Sequence, residues 1–291
     1  AIARLMSADA ACPRCRYPLG LGANLNTGRE CAVIAVTLPP ADTIGIITHT
    51  VYATAACMLR TNAHMPARRR KPAAGPTIET PEDIRRGCRA LRRRCRHMRR
   101  IHDAIGDPPL RRRQGGFPGL ARIVVGQQLS IASADAIWNR MSTGIHPFEP
   151  AAVLRLEDTE LRALGLSRPK IKTLRGIAAA VAEGELDFDA IGCVDEGQRR
   201  EHLTSLPGIG PWSADIYGLF CLGAQDGFAP GDLALQEAVR IALKSESRPG
   251  QDELLAMAER WKPWRGVAAR LLWSYYAWSK SSQSTPTGRA S

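Results

Sequence analysis

Asp232 stands in Phe228-Ala-Pro-Gly-Asp232-Leu-Ala-Leu, where a Pro–Gly turn gives way to an apolar, helix-forming run. A carboxylate there can do either of two jobs. It can cap the following helix by accepting its free N–H groups, or it can face a developing positive charge, as the acids of glycoside hydrolysis do. Twenty residues earlier lies Trp212, inside Leu206-Pro207-Gly208-Ile209-Gly210-Pro211-Trp212-Ser213-Ala214. Two glycines around one aliphatic residue make a tight turn between helices, where a side chain would obstruct a close neighbour. The second helix begins at once, and its free N–H groups and positive dipole end suit a phosphate. A bare Gly-x-Gly is usually an ordinary turn; the longer string is far more specific.

The elements that would carry these residues are helices. Thr80-Pro81-Glu82-Asp83 combines an N-cap residue, proline at the first helical position and acids in the first turn. A basic helix over 84–102 follows. Helical patterns continue at 117–141, 151–164, 169–183, 196–204, 212–222, 233–243, 251–259 and 264–280, with Gly, Pro, Ser or Asp between most neighbours. No convincing strand falls after residue 80, so the body is all-α. Residues 1–65 keep neither period, and a polar, proline-bearing linker begins at Met65. Met65 is a candidate start, with the preceding stretch an upstream extension of the reading frame.

The chain has 291 residues, 44% of them hydrophobic and 23% charged, enough apolar material for a sizeable core. Disorder throughout is excluded, and no apolar run reaches the roughly 18 residues of a membrane helix. No secretory-type leader opens the sequence, so a cytoplasmic location is expected. The net charge of +12 is unevenly placed: residues 1–65 carry +2, residues 66–113 carry +11 and residues 114–291 carry −1. Such a basic block suits a polyanion, nucleic acid being the commonest, or is a solvated arm. His97 and His102 on it read as surface residues. Of eight cysteines, only Cys12 and Cys15 form a short pair, and no second pair completes a zinc site.

The full hairpin string resembles a helix-hairpin-helix DNA-binding hairpin. With Asp232 at its spacing, it resembles the hairpin, Gly/Pro-rich loop and aspartate signature of a DNA glycosylase superfamily. Residues 261–273, Trp-Lys-Pro-Trp-Arg-Gly-Val-Ala-Ala-Arg-Leu-Leu-Trp, are similar to the C-terminal segment of the 3-methyladenine DNA glycosylase II family. Gly126-Gln127-Gln128-Leu129-Ser130 resembles that family's loop inserted into DNA, and Gly165-Leu166-Ser167-Arg168-Pro169-Lys170 its interhelical turn. The likeness covers about residues 78–280. The antiparallel β domain at the N-terminus of some members is not recognisable.

The resemblance implies a helix-hairpin-helix glycosylase fold of two helical subdomains with a cleft between them. It would occupy residues 78–282, with the hairpin at 204–214, after an irregular extension and linker at 1–77 and before a disordered tail at 283–291. It implies that Asp232 is catalytic and that Trp212, Trp273 and Tyr217 form the base pocket. Trp261 and Trp264 read better as core. Gln127, Gln128, Leu129, Gly208, Ile209, Gly210 and Ser213 would meet DNA, with Gln128 filling the gap left by a flipped base; for Leu129 the competing assignment is core packing. The carbonyls of Thr204, Leu206 and Gly208 would bind a monovalent cation, Na+ or K+, and no other cofactor is required.

Relatives that also cut the backbone carry a lysine where this chain has Trp212, and an indole cannot form a Schiff base. Relatives with an iron–sulfur cluster need four closely spaced C-terminal cysteines, and Cys221 is the last here. The implied activity is monofunctional: release of alkylated purines such as 3-methyladenine or 7-methylguanine from double-stranded DNA in base excision repair, by a monomer. Three other readings stand beside it. They are a non-catalytic hairpin module, a helical protein-interaction domain, and a glycosylase for oxidised or deaminated bases.

Overall fold

A proline at the first position and a reciprocal cap open the first helix, α1 (Pro81–Arg94). Thr80 Oγ1 accepts the Asp83 N–H at 3.2 Å while Asp83 Oδ2 accepts the Thr80 N–H at 2.9 Å, so two otherwise orphaned donors are satisfied together. The computed structural model describes residues 75–284, and readings made for 1–74 and 285–291 lie outside the described residues. Ile78 is fully buried and donates its N–H to Gly223 O at 2.7 Å, and Thr77 forms an isolated bridge with Ala224. Among the described residues nothing else resembles a strand, and no helix is long and apolar enough to cross a membrane.

The basic helix expected over 84–102 is two helices. Cys95 leaves the helical conformation (φ −138°, ψ 114°), and α2 (Arg96–Ile105) starts after it. Buried Ile84, Cys88, Leu91, Cys95, Met98 and Ile101 keep helical spacing straight through the break, so periodicity could not reveal it. Arg99 Nε donates to the Arg92 carbonyl across the interruption at 3.2 Å. Much of the basic face is paired internally: Arg85 and Arg89 with Glu82, Arg86 with Asp83, Arg92 with Asp103.

Three more expected helices are also interrupted. The 117–141 pattern divides into α3 (Gly116–Gly126) and α4 (Ile131–Gly144), because Gln128 takes φ +57° and Ser130 caps α4 by accepting the Ser133 N–H. The 151–164 pattern divides into α5 (Pro150–Arg155) and α6 (Asp158–Ala163), where the Glu160 carboxylate turns back to the Glu157 N–H at 2.7 Å. After α7 (Arg168–Ala182) comes α8 (Phe188–Cys193), which the sequence reading passed over, and then α9 (Glu196–Thr204). The 212–222 pattern is α10 (Pro211–Ile216) running into a π-helical turn over Tyr217–Cys221.

The remaining helices are α11 (Leu233–Leu243), α12 (Gln251–Ala258) and α13 (Arg265–Ser284). Val267, Ala268, Ala269, Leu271 and Leu272 are buried in succession, the signature of a helix enclosed on every side. Helix α13 packs on α1, α2 and α11, while α3 packs on α4, α7 and α10. Two helical groups result, with a cleft between them. Arg270 sits at the join, 2% exposed, donating to the carbonyls of Leu110, Gly266 and Leu219 at 2.7–3.0 Å. Three carbonyl acceptors make a buried guanidinium tolerable without an acid, and burial lowers its pKa to about 10.

Candidate active site

Gly208 holds the tight turn between α9 and α10. Its φ is +84°, and a Cβ there would lie 2.0 Å from Thr173 Oγ1 on α7, so no other residue fits without displacing that helix. In front of Gly210, by contrast, a Cβ would meet nothing within 4 Å. Among the described residues no acceptor takes the N–H of Gly208 or Gly210, so both remain for a ligand beside the start of α10. Ile209, also expected to meet DNA, is instead 4% exposed and plugs the turn into the core.

Gln127 joins this hairpin to the turn between α3 and α4. Its Nε2 donates to Gly208 O at 3.2 Å and to Ser213 Oγ at 2.9 Å. Expected to meet DNA, Gln127 and Ser213 turn their side chains inward instead, and Ser213 is only 2% exposed. Exposed Gln128 occupies the tip of the same turn. Leu129 is 40% exposed and borders the cleft, so core packing does not apply to it.

Asp232 does both jobs open to it. Oδ1 accepts the N–H groups of Ala234 and Leu235 at 3.0 Å, capping α11, and also the Trp273 indole N–H at 3.0 Å. Oδ2 accepts the Trp212 indole N–H at 2.8 Å. The half-buried carboxylate borders a cleft of about 480 Å³, a volume typical of small-molecule sites. Trp212 on α10 and Trp273 on α13 approach it from opposite helical groups, and both border the cleft.

Tyr217 does not belong to the pocket. It is fully buried, packs on Phe188 and accepts the Gly116 N–H on its hydroxyl at 2.9 Å. The residues that do share the cleft wall with Trp212 are Ile216 and Phe220, four and eight positions later on one helical face. That spacing was readable, and so was the displacement of Tyr217, which five residues after Trp212 lies about 140° round the helix from it. The arginines of 111–113 were read only as the end of a basic block, yet Arg111 and Arg113 line the cleft. Trp261 is buried against Phe228, as its core reading requires, and half-buried Trp264 lies under Arg86. His102 is tied to Asp107 at 2.7 Å, and neither it nor His97 borders the cleft.

A hairpin with free N–H groups, leading into a helix whose Trp212 shares a cleft with a capped aspartate, is the arrangement of helix-hairpin-helix base-excision proteins. The family model described as "HhH-GPD superfamily base excision DNA repair protein" matches residues 121–265. DNA-3-methyladenine glycosylase 1 of Schizosaccharomyces pombe is 30% identical over 167 residues, 54% of this chain and 71% of that protein. A DNA-3-methyladenine glycosylase of Bacillus subtilis is 30% identical over 183 residues, 58% of each chain. A solved structure of S. pombe 3-methyladenine DNA glycosylase (Mag1) with abasic DNA superposes with a TM-score of 0.60 at 27% identity, covering 65% of this chain and 95% of that one. The chain belongs to the HhH-GPD superfamily of base excision DNA repair proteins, in its 3-methyladenine DNA glycosylase family. It spans 39% to 58% of the length of several other curated relatives it matches.

Proposed function

We propose that the protein is a monofunctional DNA glycosylase that extracts alkylated purines from duplex DNA and hydrolyses the bond between base and sugar. The observation that carries this reading is Asp232, held at the cleft wall by four donors, two of them the N–H edges of Trp212 and Trp273. A target base is unreachable inside the stack, so it must be turned out at a cost of a few kcal/mol. Exposed Leu129 and Gln128 stand on one turn, Leu129 at the edge of the cleft, and would occupy the vacated gap. The unspent N–H groups of Gly208 and Gly210 would hold the adjoining phosphate.

Methylation at purine N3 or N7 gives the base a positive charge, which attracts it to indole faces by about 0.5–2 kcal/mol. Fixed at their N–H edges, Trp212 and Trp273 would offer those faces without further ordering. The electron pair of the C1′–N bond leaves with the base, which departs neutral. Asp232 opposes the positive charge left on the sugar. Water bonds to C1′, and its proton passes to Asp232 and on to solvent, leaving an abasic site. No amine stands at Trp212 to trap the sugar, so the strand stays intact.

A monovalent cation is compatible with the hairpin. The Leu206 and Gly208 carbonyls each accept one N–H, from Ile209 and Gln127, and each keeps a second lone pair. With the Thr204 carbonyl they would form a neutral oxygen set for Na+ or K+, whose charge would steady the phosphate.

The deciding experiment is base release from alkylated DNA by Asp232→Asn. The variant should fold, bind an abasic duplex and lose most release of 3-methyladenine; unimpaired release removes the assignment. Wild-type product should break only after alkali, and a borohydride-trapped adduct would exclude monofunctional chemistry.

A further inference from the structure

Away from the cleft, three donor atoms of different chemistry converge where α1 and α2 meet. Cys88 Sγ on α1, a ring nitrogen of His102 on α2 and a carboxylate oxygen of Asp107 all lie within 4.8 Å of one another. Among the described residues no other three Cys, His, Asp or Glu side chains come together in this way. Asp107 holds the group, hydrogen-bonded to the Cys88 thiol and, at 2.7 Å, to His102 Nε2. None of the three borders the cleft.

Backbone geometry makes the convergence. In an unbroken helix Cys88 and His102, fourteen residues apart, would stand about 21 Å from each other. The break at Cys95 lets α2 pack back on α1 and brings them together. Gly106 (φ +70°) then turns the chain, and a Cβ there would meet nothing within 4 Å, so Asp107 follows an unobstructed turn. Cys88 is buried, His102 half-buried and Asp107 exposed, which leaves one side of the group open to solvent. Arg92 Nη1 lies 2.8 Å from His102 Nδ1. A guanidinium only donates, so Nδ1 accepts and Nε2 carries the ring proton toward Asp107.

We propose that Cys88, His102 and Asp107 bind one zinc ion, which fastens α2 to α1, with water from the open side as fourth ligand. A sulfur, a nitrogen and a single oxygen suit Zn2+, whereas Mg2+ and Ca2+ require shells of oxygen. Tetrahedral zinc places such atoms about 3.4–3.6 Å apart. The three donors therefore adjust by about an ångström, a movement that the turn at Gly106 allows. Burial pushes the metal-free thiol up to about 12, so the sulfur keeps its proton until the ion displaces it. The Sγ–H bond then breaks, the zinc–sulfur bond forms and the proton goes to solvent. The ring proton moves from Nε2 to Nδ1, which frees the Nε2 lone pair for the metal, and Arg92 keeps its other acceptor, Asp103. Thiolate and carboxylate together cancel the two charges of the ion, so Arg92 faces a neutral site.

The test is a cobalt titration of the full chain, stripped of metal, followed by thermal melting with zinc. Wild type should take up one Co2+ with the near-ultraviolet absorption of a cobalt–thiolate bond, and zinc should displace it. Cys88→Ser should abolish that absorption. His102→Gln and Asp107→Asn leave the thiol in place and should weaken binding at least about tenfold. Zinc at a hundredfold over its dissociation constant should raise the wild-type melting temperature by roughly 5–10 °C. Asp107→Asn, at an exposed position that tolerates the change even where Cys88→Ser does not, should keep about half of that shift or less at the same zinc concentration. A Cys12→Ser, Cys15→Ser double variant should bind and melt as wild type does. Cobalt binding that survives Cys88→Ser but vanishes in the double variant would assign the metal to that short pair and overturn the inference. Absence of a thiolate band, or a melting temperature indifferent to zinc, overturns it as well.

Discussion

The indole N–H of Trp212 lies 2.8 Å from Asp232 Oδ2, the carboxylate oxygen that the start of α11 leaves alone. The other oxygen is saturated: Ala234, Leu235 and Trp273 all donate to Oδ1. Oδ2 therefore has the remaining capacity to meet water or an anomeric carbon, and Trp212 sets its direction. Trp212→Phe keeps an aromatic face and removes that single donor. A hydrogen bond to a charged group contributes about 1.5–3 kcal/mol, so base release should slow roughly 10- to 100-fold with little change in affinity for an abasic duplex. A single-turnover rate within twofold of wild type would show that Oδ2 needs no such guide.

Gln127 supports the hairpin from outside it. One amide nitrogen bonds both Gly208 O and Ser213 Oγ, so the turn and the first residues of α10 are fixed to the α3–α4 turn before any ligand arrives. Gln127→Leu removes both bonds while keeping the side chain's bulk. At about 0.5–1.5 kcal/mol for each bond lost, affinity for an abasic duplex in an anisotropy titration should fall roughly 5- to 50-fold, equally for all lesions. An unchanged dissociation constant would mean that the hairpin holds its shape unaided.

Gly208→Ala tests the packing of that hairpin on α7. The positive φ costs about 1–2 kcal/mol in any residue with a Cβ, and the collision with Thr173 Oγ1 at 2.0 Å adds to it. Urea denaturation should show a loss of more than about 2 kcal/mol, in the range of an overpacked core. Adding Thr173→Ala should recover the steric part and leave the backbone part. Full recovery in the double variant would show that the φ value is not strained, and no recovery would show that Thr173 is not the obstacle.

The legible features were those set by short-range chemistry. Caps, proline and the Gly-Ile-Gly turn located α9, α11 and the hairpin, because each rests on bonds within a few residues of the chain. Asp232 and its two tryptophans were reachable from the motif and the C-terminal segment together. The break at Cys95 was not, since it keeps the apolar spacing of an unbroken helix and differs only in backbone geometry. Arg113 was hidden for another reason. In the sequence it ends a basic block, and tertiary ties, from Arg270 to Leu110 and from its own N–H to Phe220 O, bring it beside Phe220.

Asp215 makes stability depend on pH. It lies on α10 with its side chain 3% exposed, 3.4 Å from Arg200, and Glu196, Arg199 and Arg265 also act on it. Burial raises its pKa from 3.8 to about 7, outweighing the arginines. Between those values the folded chain holds a proton that the unfolded chain has released, so stability falls as pH rises through the window and the loss is complete above about 7. Asp215→Asn removes the charge and keeps the shape. At pH 8 it should melt several degrees above wild type, by about 2–4 °C for each kcal/mol relieved. The advantage should shrink toward pH 5, where the wild-type carboxyl is already neutral. A variant that melts below wild type at pH 8 would show that the ion pair with Arg200 outweighs the burial of the charge.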